Sequence, residues 1–402
     1  MANTIKKIHI KGSDLQYDYN SLANTPTIPS TVAELTDNGN YATTAYVESK
    51  ISALPIDTEI SSSSTNPVQN KVIKEYIDEG DKYPITYKTV SGSGTITAYK
   101  DATNSNSYDA ITVNSRGGVV WIDRNYERLK FSPEFKSLNF SRADTRNITN
   151  MQSMFVDCNN LVSLDLSYFD TSKVTNMQSM FVGCNNLVSL DLSYFDTSEV
   201  TSMYCMFERC FRLTSLNLSG WNTSKVTNMA GMFIDCDRLG DLDLSSFDTT
   251  NVTDMQSMFY LCGVSGITLS SSFNTKNVTD MNMMFYLCSR LTSLDLSSFD
   301  TSKVTNMKDM FYCCSKLSKL SLSSSFFNST ALTAYDFSEL SSWTDTDSLA
   351  NLVSVLPTIT TAKTIKLNTK TKAALTDEQK TTITTKGWTI EESNPHSGEG
   401  EW

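Results

Sequence analysis

The sequence predicts an α/β repeat solenoid, and three observations carry this prediction. The phrase Met-x-x-Met-Phe occurs in seven copies at a constant spacing of 26 residues. Each copy contains apolar residues at helical spacing, followed by a leucine-rich run that alternates as a strand does. Repetition at a fixed period of this size is typical of solenoids. The copies begin at Met151, Met177, Met203, Met229, Met255, Met281 and Met307.

The first half of each unit is predicted to be a short helix. In the second copy Met177, Met180, Phe181 and Cys184 stand at i, i+3, i+4 and i+7. This spacing places apolar side chains on one face of a helix. In three copies a threonine followed three residues later by glutamine fits a capping box at the helix start.

The second half of each unit is predicted to be a strand. Leu190, Asp191 and Leu192 alternate as in a half-buried strand, with the aspartate facing solvent. The turn that follows contains one aromatic side chain, which we expect to be buried beneath the loop. These rings are Phe169, Phe195, Trp221, Phe247, Phe273 and Phe299.

One unit alone cannot bury both of its faces, so neighbouring units must stack and share a continuous core. Strands stacked at a spacing of ~4.8 Å would give seven rungs a length of roughly 30 to 35 Å. The expected shape is a leucine-rich-repeat-like horseshoe, with the strands on one face and the short helices on the other.

The consensus V-T-N-M-x-x-M-F-x-x-C-x-x-L-x-x-L-D-L-S-x-F-D-T-S is similar to the 26-residue repeat of BspA-like leucine-rich-repeat surface proteins of bacteria and their phages. The resemblance covers about half of the chain. It implies attachment to surfaces or host molecules, and it supplies no catalytic residues.

The N-terminal part is predicted to hold a virion-attachment segment over residues 1–35 and a fibre-type stalk over 36–82. Two short helices are predicted in the stalk, with apolar edges at Tyr46–Ile51 and Val68–Ile77. Such short helices need partners, and a threefold arrangement of identical chains supplies them most simply. Together with YDYNSLANTPTIP, these phrases resemble the N-terminal parts of phage tail-fibre and head-fibre proteins.

The remaining boundaries follow from composition and pattern. Alternating runs separated by Gly, Asn and Ser predict a small β-rich collar over 83–128. The solenoid is predicted over 129–330, beginning with a degenerate rung in which Leu138 stands 26 residues before Leu164. Residues 331–392 are predicted to form capping αβ units, and 393–402 a flexible tail.

Composition narrows the classes of function. The chain has 402 residues, 39% hydrophobic content and a net charge of -11 without a basic stripe, which argues against nucleic acid as a partner. It contains no run of 18 apolar residues, so we expect no membrane insertion. The first residues do not resemble a secretory signal, which favours a phage protein over an exported bacterial one.

The nine cysteines are predicted to pack in the core, without a metal or a cofactor. One thiol per unit, with no Cys-x-x-Cys pair and no histidine partner, does not resemble a zinc site. Disulfides between neighbouring rungs and a special role for the adjacent pair Cys313 and Cys314 are the alternatives.

The candidate ligand-binding surface consists of two rows. On the strand face, acids between two leucines either stay solvated or share cations such as calcium. After the conserved-position phenylalanine, the last three copies carry tyrosines that either contact sugars or a protein surface or shield the flank. Acids before Thr-Ser are predicted to hold Asx turns. The two rows are Asp165, Asp191, Asp243 and Asp295, and Tyr260, Tyr286 and Tyr312.

Catalysis has little support in the sequence. The two histidines, His9 and His396, lie near the ends of the chain, and no nucleophile elbow, phosphate loop or zinc-protease motif occurs. A carboxylate pair for glycan cleavage is recognised only by its separation in three dimensions. No catalytic residue is therefore assigned.

The sequence thus predicts a phage virion fibre, of the tail or the head, whose repeat domain adheres to the host cell surface without catalysis. A bacterial BspA-like surface adhesin is the alternative, and a glycan depolymerase is a third reading. The predicted partners are two further copies of the chain in a homotrimer, a phage tail or capsid protein bound through the N-terminus, and a host surface glycan or protein. The expected location is the virion.

Overall fold

A β-solenoid forms the centre of the molecule. The structure, a computed structural model, describes residues 5–10, 13–18 and 82–393, except for 91, 104–105 and 142. About ten coils stack along the solenoid, so the predicted repeat architecture is confirmed at this level. The two stalk helices predicted within residues 36–82, and the tail after residue 393, lie outside the described residues.

Two strands precede the stalk region. Strand β1 (Ile5–Ile10) pairs antiparallel with strand β2 (Ser13–Asp18). The alternating stretch predicted near the N-terminus is therefore one strand of a hairpin.

An N-terminal β module leads into the solenoid. Its two antiparallel sheets have the strand orders β6-β3-β8 and β5-β4-β7, and both contribute to the core. Alternating burial along β3 reflects the alternating sequence, since neighbouring side chains of a strand point to opposite faces. The strands are β3 (Lys82–Thr89), β4 (Gly94–Tyr99), β5 (Asp109–Val113), β6 (Gly117–Asp123), β7 (Arg128–Phe131) and β8 (Phe135–Asn139).

Strand β8 joins the module to the first coil. It pairs antiparallel with β3 and parallel with β9 (Ser163–Asp165), where Leu138 lies opposite Leu164. The Phe131 N–H also donates to the Met154 carbonyl oxygen at 2.8 Å. The module therefore covers the first end of the solenoid and starts its ladder.

Each repeat contributes one short strand, as predicted. Pairing between neighbouring coils is parallel and in register, with Leu190 opposite Leu216 and Leu294 opposite Leu320. The strands after β9 are β10 (Ser189–Asp191), β11 (Ser215–Asn217), β12 (Leu242–Leu244), β13 (Ile267–Leu269), β14 (Ser293–Leu296) and β15 (Lys319–Leu322).

The predicted helix of each repeat is wrong, and this corrects the strand-plus-helix unit. The segment from Met177 to Cys184 is a chain of turns in which Ser179 and Gly183 have φ of 55° and 72°. Left-handed residues at every fourth position prevent a helix, because a right-handed helix requires negative φ throughout. We call this segment of each coil the turn strip.

Backbone hydrogen bonds of the turn strip run mainly between coils. The N–H groups of Met177, Ser179 and Phe181 donate to carbonyl oxygens of the next coil at 3.1, 2.8 and 2.9 Å. Because every second N–H points along the solenoid, the strip forms an inter-coil ladder like that of a sheet. The apolar residues at helical spacing are nevertheless buried, so their predicted burial is confirmed.

Aromatic rings form continuous stacks inside the solenoid. The phenylalanine of each turn strip stacks on the next, as in Phe207 on Phe233 at 5.6 Å between ring centroids and 4° between planes. The loop aromatics are also buried, as predicted, and Trp221 stacks on Phe247 at 6.0 Å. Stacking at the coil spacing makes each coil dependent on its neighbours.

The cysteines pack in the core, as predicted. All nine are free, and only Cys313 is not buried. The Cys210 thiol donates to the Phe181 carbonyl oxygen of the preceding coil at 3.3 Å, and Cys288 makes the same contact with Phe259 at 3.0 Å. Burial raises the pKa of Cys210 to about 12, so the thiol stays protonated.

A parallel β-sheet with helices closes the far end. The sheet has the order β16-β17-β18, with β16 (Ala334–Phe337), β17 (Lys363–Leu367) and β18 (Trp388–Glu392). Helices α1 (Thr346–Val355), α2 (Thr369–Ala374) and α3 (Asp377–Thr385) connect these strands. A capping box of Thr376 and Gln379 starts α3 at the predicted residue. The short helix α2 and strand β16 were not predicted.

Candidate functional site

The predicted tyrosine row exists as a stack of rings on the turn strips of three consecutive coils. Tyr260 stacks on Tyr286 at 4.8 Å, and Tyr286 stacks on Tyr312 at 4.6 Å, with 6° and 8° between the ring planes. All three are half-buried. The register is fixed by the backbone, because the Tyr286 and Tyr312 carbonyl oxygens accept from the N–H groups of Leu261 and Leu287.

Stacking limits what the tyrosine row can offer to a ligand. Burial, followed by the adjacent Tyr260 and Tyr312, raises the pKa of Tyr286, so its phenol is protonated at neutral pH. Each ring covers a face of its neighbour, and a sugar that stacks on an aromatic side chain needs an open face. The row therefore presents mainly ring edges and hydroxyl groups.

The acids of the strand face hold their own turns. The N–H groups of Ser167, Ser193, Ser245 and Ser297 donate to carboxylate oxygens two residues earlier, at 2.9 to 3.1 Å. Hydrogen bonds from the hydroxyl and the N–H of Ser245 lower the pKa of Asp243. The acceptors are Asp165, Asp191, Asp243 and Asp295.

The acidic ladder is interrupted by neutral residues. Strand pairing places Asn217 beside Asp191 and Thr268 beside Asp243, and Ser321 lies beside Asp295. Among the residues that the structure describes, no group of three or more His, Cys, Asp or Glu side chains could hold a metal ion. The strand acids therefore act as solvated caps of their turns, in line with the first of the two predicted alternatives.

The acids before Thr-Ser also form Asx turns, which confirms that prediction. Asp170 accepts from the Ser172 N–H at 3.0 Å, and Asp300 accepts from the Ser302 N–H at 2.8 Å. The two candidate rows are not brought together, because the tyrosines belong to the turn strips and the acids to the strands.

A second aromatic surface was missed by the sequence interpretation. Tyr168 and Tyr194 follow the strands of the first two coils and are 65% and 66% exposed. Val162 and Val188 precede the same strands and are 47% and 44% exposed. We call these four residues the tyrosine–valine patch. Comparison of the copies could have found it, since the tyrosine positions hold Gly220, Ser246 and Ser298 in later coils.

The tyrosine–valine patch has open ring faces. Within the described part of the chain, no other ring contacts Tyr168 or Tyr194. Asp165 and Asp191 lie on the strands between the two valines and the two tyrosines. Solvent-exposed apolar groups gathered in one place are typical of interaction sites, and acids beside them can accept hydrogen bonds from a bound hydroxyl.

Comparison with protein families gives one match. The family is DUF285, described as a Mycoplasma protein of unknown function, and its matches span residues 125–239, 191–264 and 239–347. The matched segments together cover more than half of the chain. The chain belongs to this family. No curated protein and no solved structure matches the chain.

The family matches coincide with the repetitive part of the fold. They begin next to β7, include all of the turn strips and extend into α1 of the cap. No helix among the described residues has the length and apolar character needed to cross a membrane.

Proposed function

We propose that the protein is a non-catalytic adhesion protein whose solenoid binds a host surface glycan or protein. The observation that carries the proposal is the tyrosine–valine patch, where two tyrosines with open faces stand on successive coils beside two carboxylates. Sugar rings stack on open aromatic faces while neighbouring carboxylates accept their hydroxyl hydrogens. The stacked tyrosine row is the second candidate surface on the same solenoid.

A rigid solenoid suits this work. Binding through two tyrosines is weak on its own, and several copies on one particle or cell raise the avidity without new contacts. The inter-coil ladders and ring stacks hold the two tyrosines at a fixed separation, so little conformational entropy is lost on binding.

The test compares two sets of substitutions taken from the repeat itself. Tyr168→Ser with Tyr194→Ser introduces the residue found at Ser246, and Tyr260→Ile with Tyr286→Ile introduces the residue found at Ile234. We expect the first pair to weaken adhesion to host cells by about tenfold or more. Adhesion unchanged in both pairs, with melting curves like that of the parent protein, would rule out both surfaces.

The finer proposal is a phage virion fibre, anchored in the particle by its N-terminal segment and trimeric through residues 36–82. Its support is the resemblance of the N-terminal phrases to tail-fibre and head-fibre proteins. The measurement is the mass in solution of the full chain and of a chain that begins at Lys82, which keeps the β module and its pairing to the first coil intact. A trimer that becomes a monomer supports the stalk, and a monomer in both cases contradicts it.

The family match favours a second candidate, a bacterial surface adhesin, because its description names Mycoplasma proteins. Antibodies against the protein distinguish the two locations. Labelling of purified virions supports the fibre, whereas labelling of cell envelopes free of phage supports the bacterial adhesin. Loss of host capsule on addition of the pure protein would contradict the non-catalytic assignment.

A further inference from the structure

The inter-coil ladder of the turn strips has a regular pattern of donors and acceptors. In the sixth coil the N–H groups of Met281, Met283 and Phe285 donate to carbonyl oxygens of the seventh coil, each at 2.9 Å. The five earlier coils make the same three bonds at 2.8 to 3.2 Å. Three N–H groups on alternate residues thus define a binding row that accepts main-chain carbonyl oxygens two residues apart.

At the seventh coil this row has no acceptor. The turn strip keeps its conformation, with φ of 57° at Asp309, and the Met310 N–H still donates to the Met307 carbonyl oxygen at 3.3 Å. Within the described residues, however, the N–H groups of Met307, Asp309 and Phe311 donate to no protein acceptor. They line a cleft of about 410 Å³ between residues 305–311 and 331–337.

The cleft exists because the cap does not continue the turn strip. The corresponding segment of the next coil is the extended strand β16, which pairs with β17. Phe311 still stacks on Phe337 at 5.8 Å, which keeps the two backbones close at that end. At the other end Met307 is half-buried, although its six equivalents in earlier coils are fully buried. The cleft therefore opens toward Met307.

Charges around the cleft are balanced and do not favour an anion. Lys308 lies 3.8 Å from the Asp309 carboxylate, and Lys366 lies 3.8 Å from that of Glu391. Asp336 contributes a further carboxylate to the lining. A free anion would meet acids as well as ammonium groups, whereas a neutral main chain would meet neither repulsion nor an uncompensated charge.

We propose that this cleft binds a neutral, extended peptide segment of a protein partner through the partner's main-chain carbonyl groups. The six filled rows show which groups fit these donors, namely carbonyl oxygens on alternate residues of a polypeptide. An unpaired row of N–H groups is a template for another chain, as at the edge of a sheet. The site is separate from the tyrosine–valine patch, so its occupation does not depend on adhesion.

The first test measures amide hydrogen exchange in the full chain. Without a ligand, the amides of Met307 and Asp309 should exchange on the order of 100-fold faster than those of Met281 and Met283, which have acceptors. Equal protection of the two coils in the free protein would overturn the proposal, because the row would then already be occupied.

The second test adds a peptide whose geometry is known to fit. The segment Val226–Gly231 is uncharged, and its carbonyl groups at Asn228 and Ala230 fill the row of the third coil at 3.0 Å. As a blocked hexapeptide at millimolar concentration it should slow exchange at Met307 and Asp309 by tenfold or more. Protection by sodium acetate without protection by the peptide would identify a carboxylate site instead and overturn the proposal.

A matched pair of variants locates the binding. Ala334→Trp places a large side chain in the lining of the cleft and should abolish the effect of the peptide. Thr361→Trp places the same side chain at an exposed position of the cap outside the cleft and should leave the effect unchanged. Retained peptide protection in Ala334→Trp would contradict the assignment, and the exchange test on the parent chain stands even where that variant does not fold.

Discussion

Buried threonines join neighbouring coils at the scale of single residues. The Thr223 hydroxyl donates to the Asp248 carbonyl oxygen at 2.8 Å and accepts from the Asp248 N–H at 2.9 Å, and the side chain is fully buried. One hydroxyl thus satisfies two backbone groups of the next coil, which have no water to replace it.

Thr223→Val is expected to destabilise the protein by about 1–3 kcal/mol, because it leaves a buried N–H and a buried carbonyl group without partners at nearly constant volume. Thr223→Ser keeps the hydroxyl and removes only a methyl group, at a cost of about 0.8 kcal/mol. Urea unfolding of the two variants measures the difference. Equal stability of the valine and serine variants would show that the hydroxyl does not link the coils.

The cysteines differ in exposure, which predicts selective chemistry. Eight of the nine are buried, and Cys313 is partly exposed. Desolvation, followed by the charge of Glu339, raises the pKa of Cys313. Since only the thiolate is nucleophilic, its reaction with a disulfide reagent should keep accelerating at pH values where a free cysteine has reached its plateau.

In the folded protein we therefore expect one thiol to react, and none in the variant Cys313→Ser. Counting the thiols released with and without denaturant measures this. Rapid reaction of several thiols in the native state would mean that the core opens more readily than its packing indicates.

At the scale of elements, the turn strip explains where the sequence interpretation failed. Met177, Met180 and Phe181 have helical spacing and are buried, yet the segment is not a helix. A helix and an αR–αL chain of turns bury the same residues, so periodicity alone cannot separate them. Gly183 and Gly231 mark left-handed positions, but Leu261 and Met283 occupy them elsewhere with φ of 53° and 55°, so no single copy reveals the pattern.

Substitution at a left-handed position tests this account of the element. Ser257 has φ of 55°, and the preceding coil has Gly231 there with φ of 65°. Ser257→Gly should hold or raise the melting temperature, whereas Ser257→Val should lower the stability by roughly 1–2 kcal/mol, because a β-branched side chain disfavours positive φ. A helical segment would give the opposite order, since glycine weakens helices.

At the scale of the whole molecule, the period was the most predictive feature of the sequence. A repeat of 26 residues requires stacked units, and the register between Leu138 and Leu164 follows from it. The cleft at the end of the array was not predictable, because it arises where β16 replaces a turn strip. The tyrosine–valine patch was visible only as a difference between copies, and the strand acids were judged without their Asx turns.

The same reasoning predicts that the solenoid tolerates loss of one complete coil. Deletion of residues 200–225 joins Glu199 to Val226, so that the Met177 N–H meets the Asn228 carbonyl oxygen instead of that of Ser202. Each coil contacts only its neighbours, and every ladder and ring stack is restored in register. We expect a folded protein with an unchanged circular dichroism spectrum per residue and a modestly lower melting temperature.

Deletion of residues 200–223 is the matched control, since it removes nearly the same length but shifts the next turn strip by two residues. Phe181 then no longer lies opposite Phe233, and apolar positions meet polar ones along the whole junction. This shorter deletion should yield aggregated or unfolded protein. If both deletions folded equally well, the stability of the solenoid would not depend on inter-coil register, and the ladders and ring stacks would not be its main source of order.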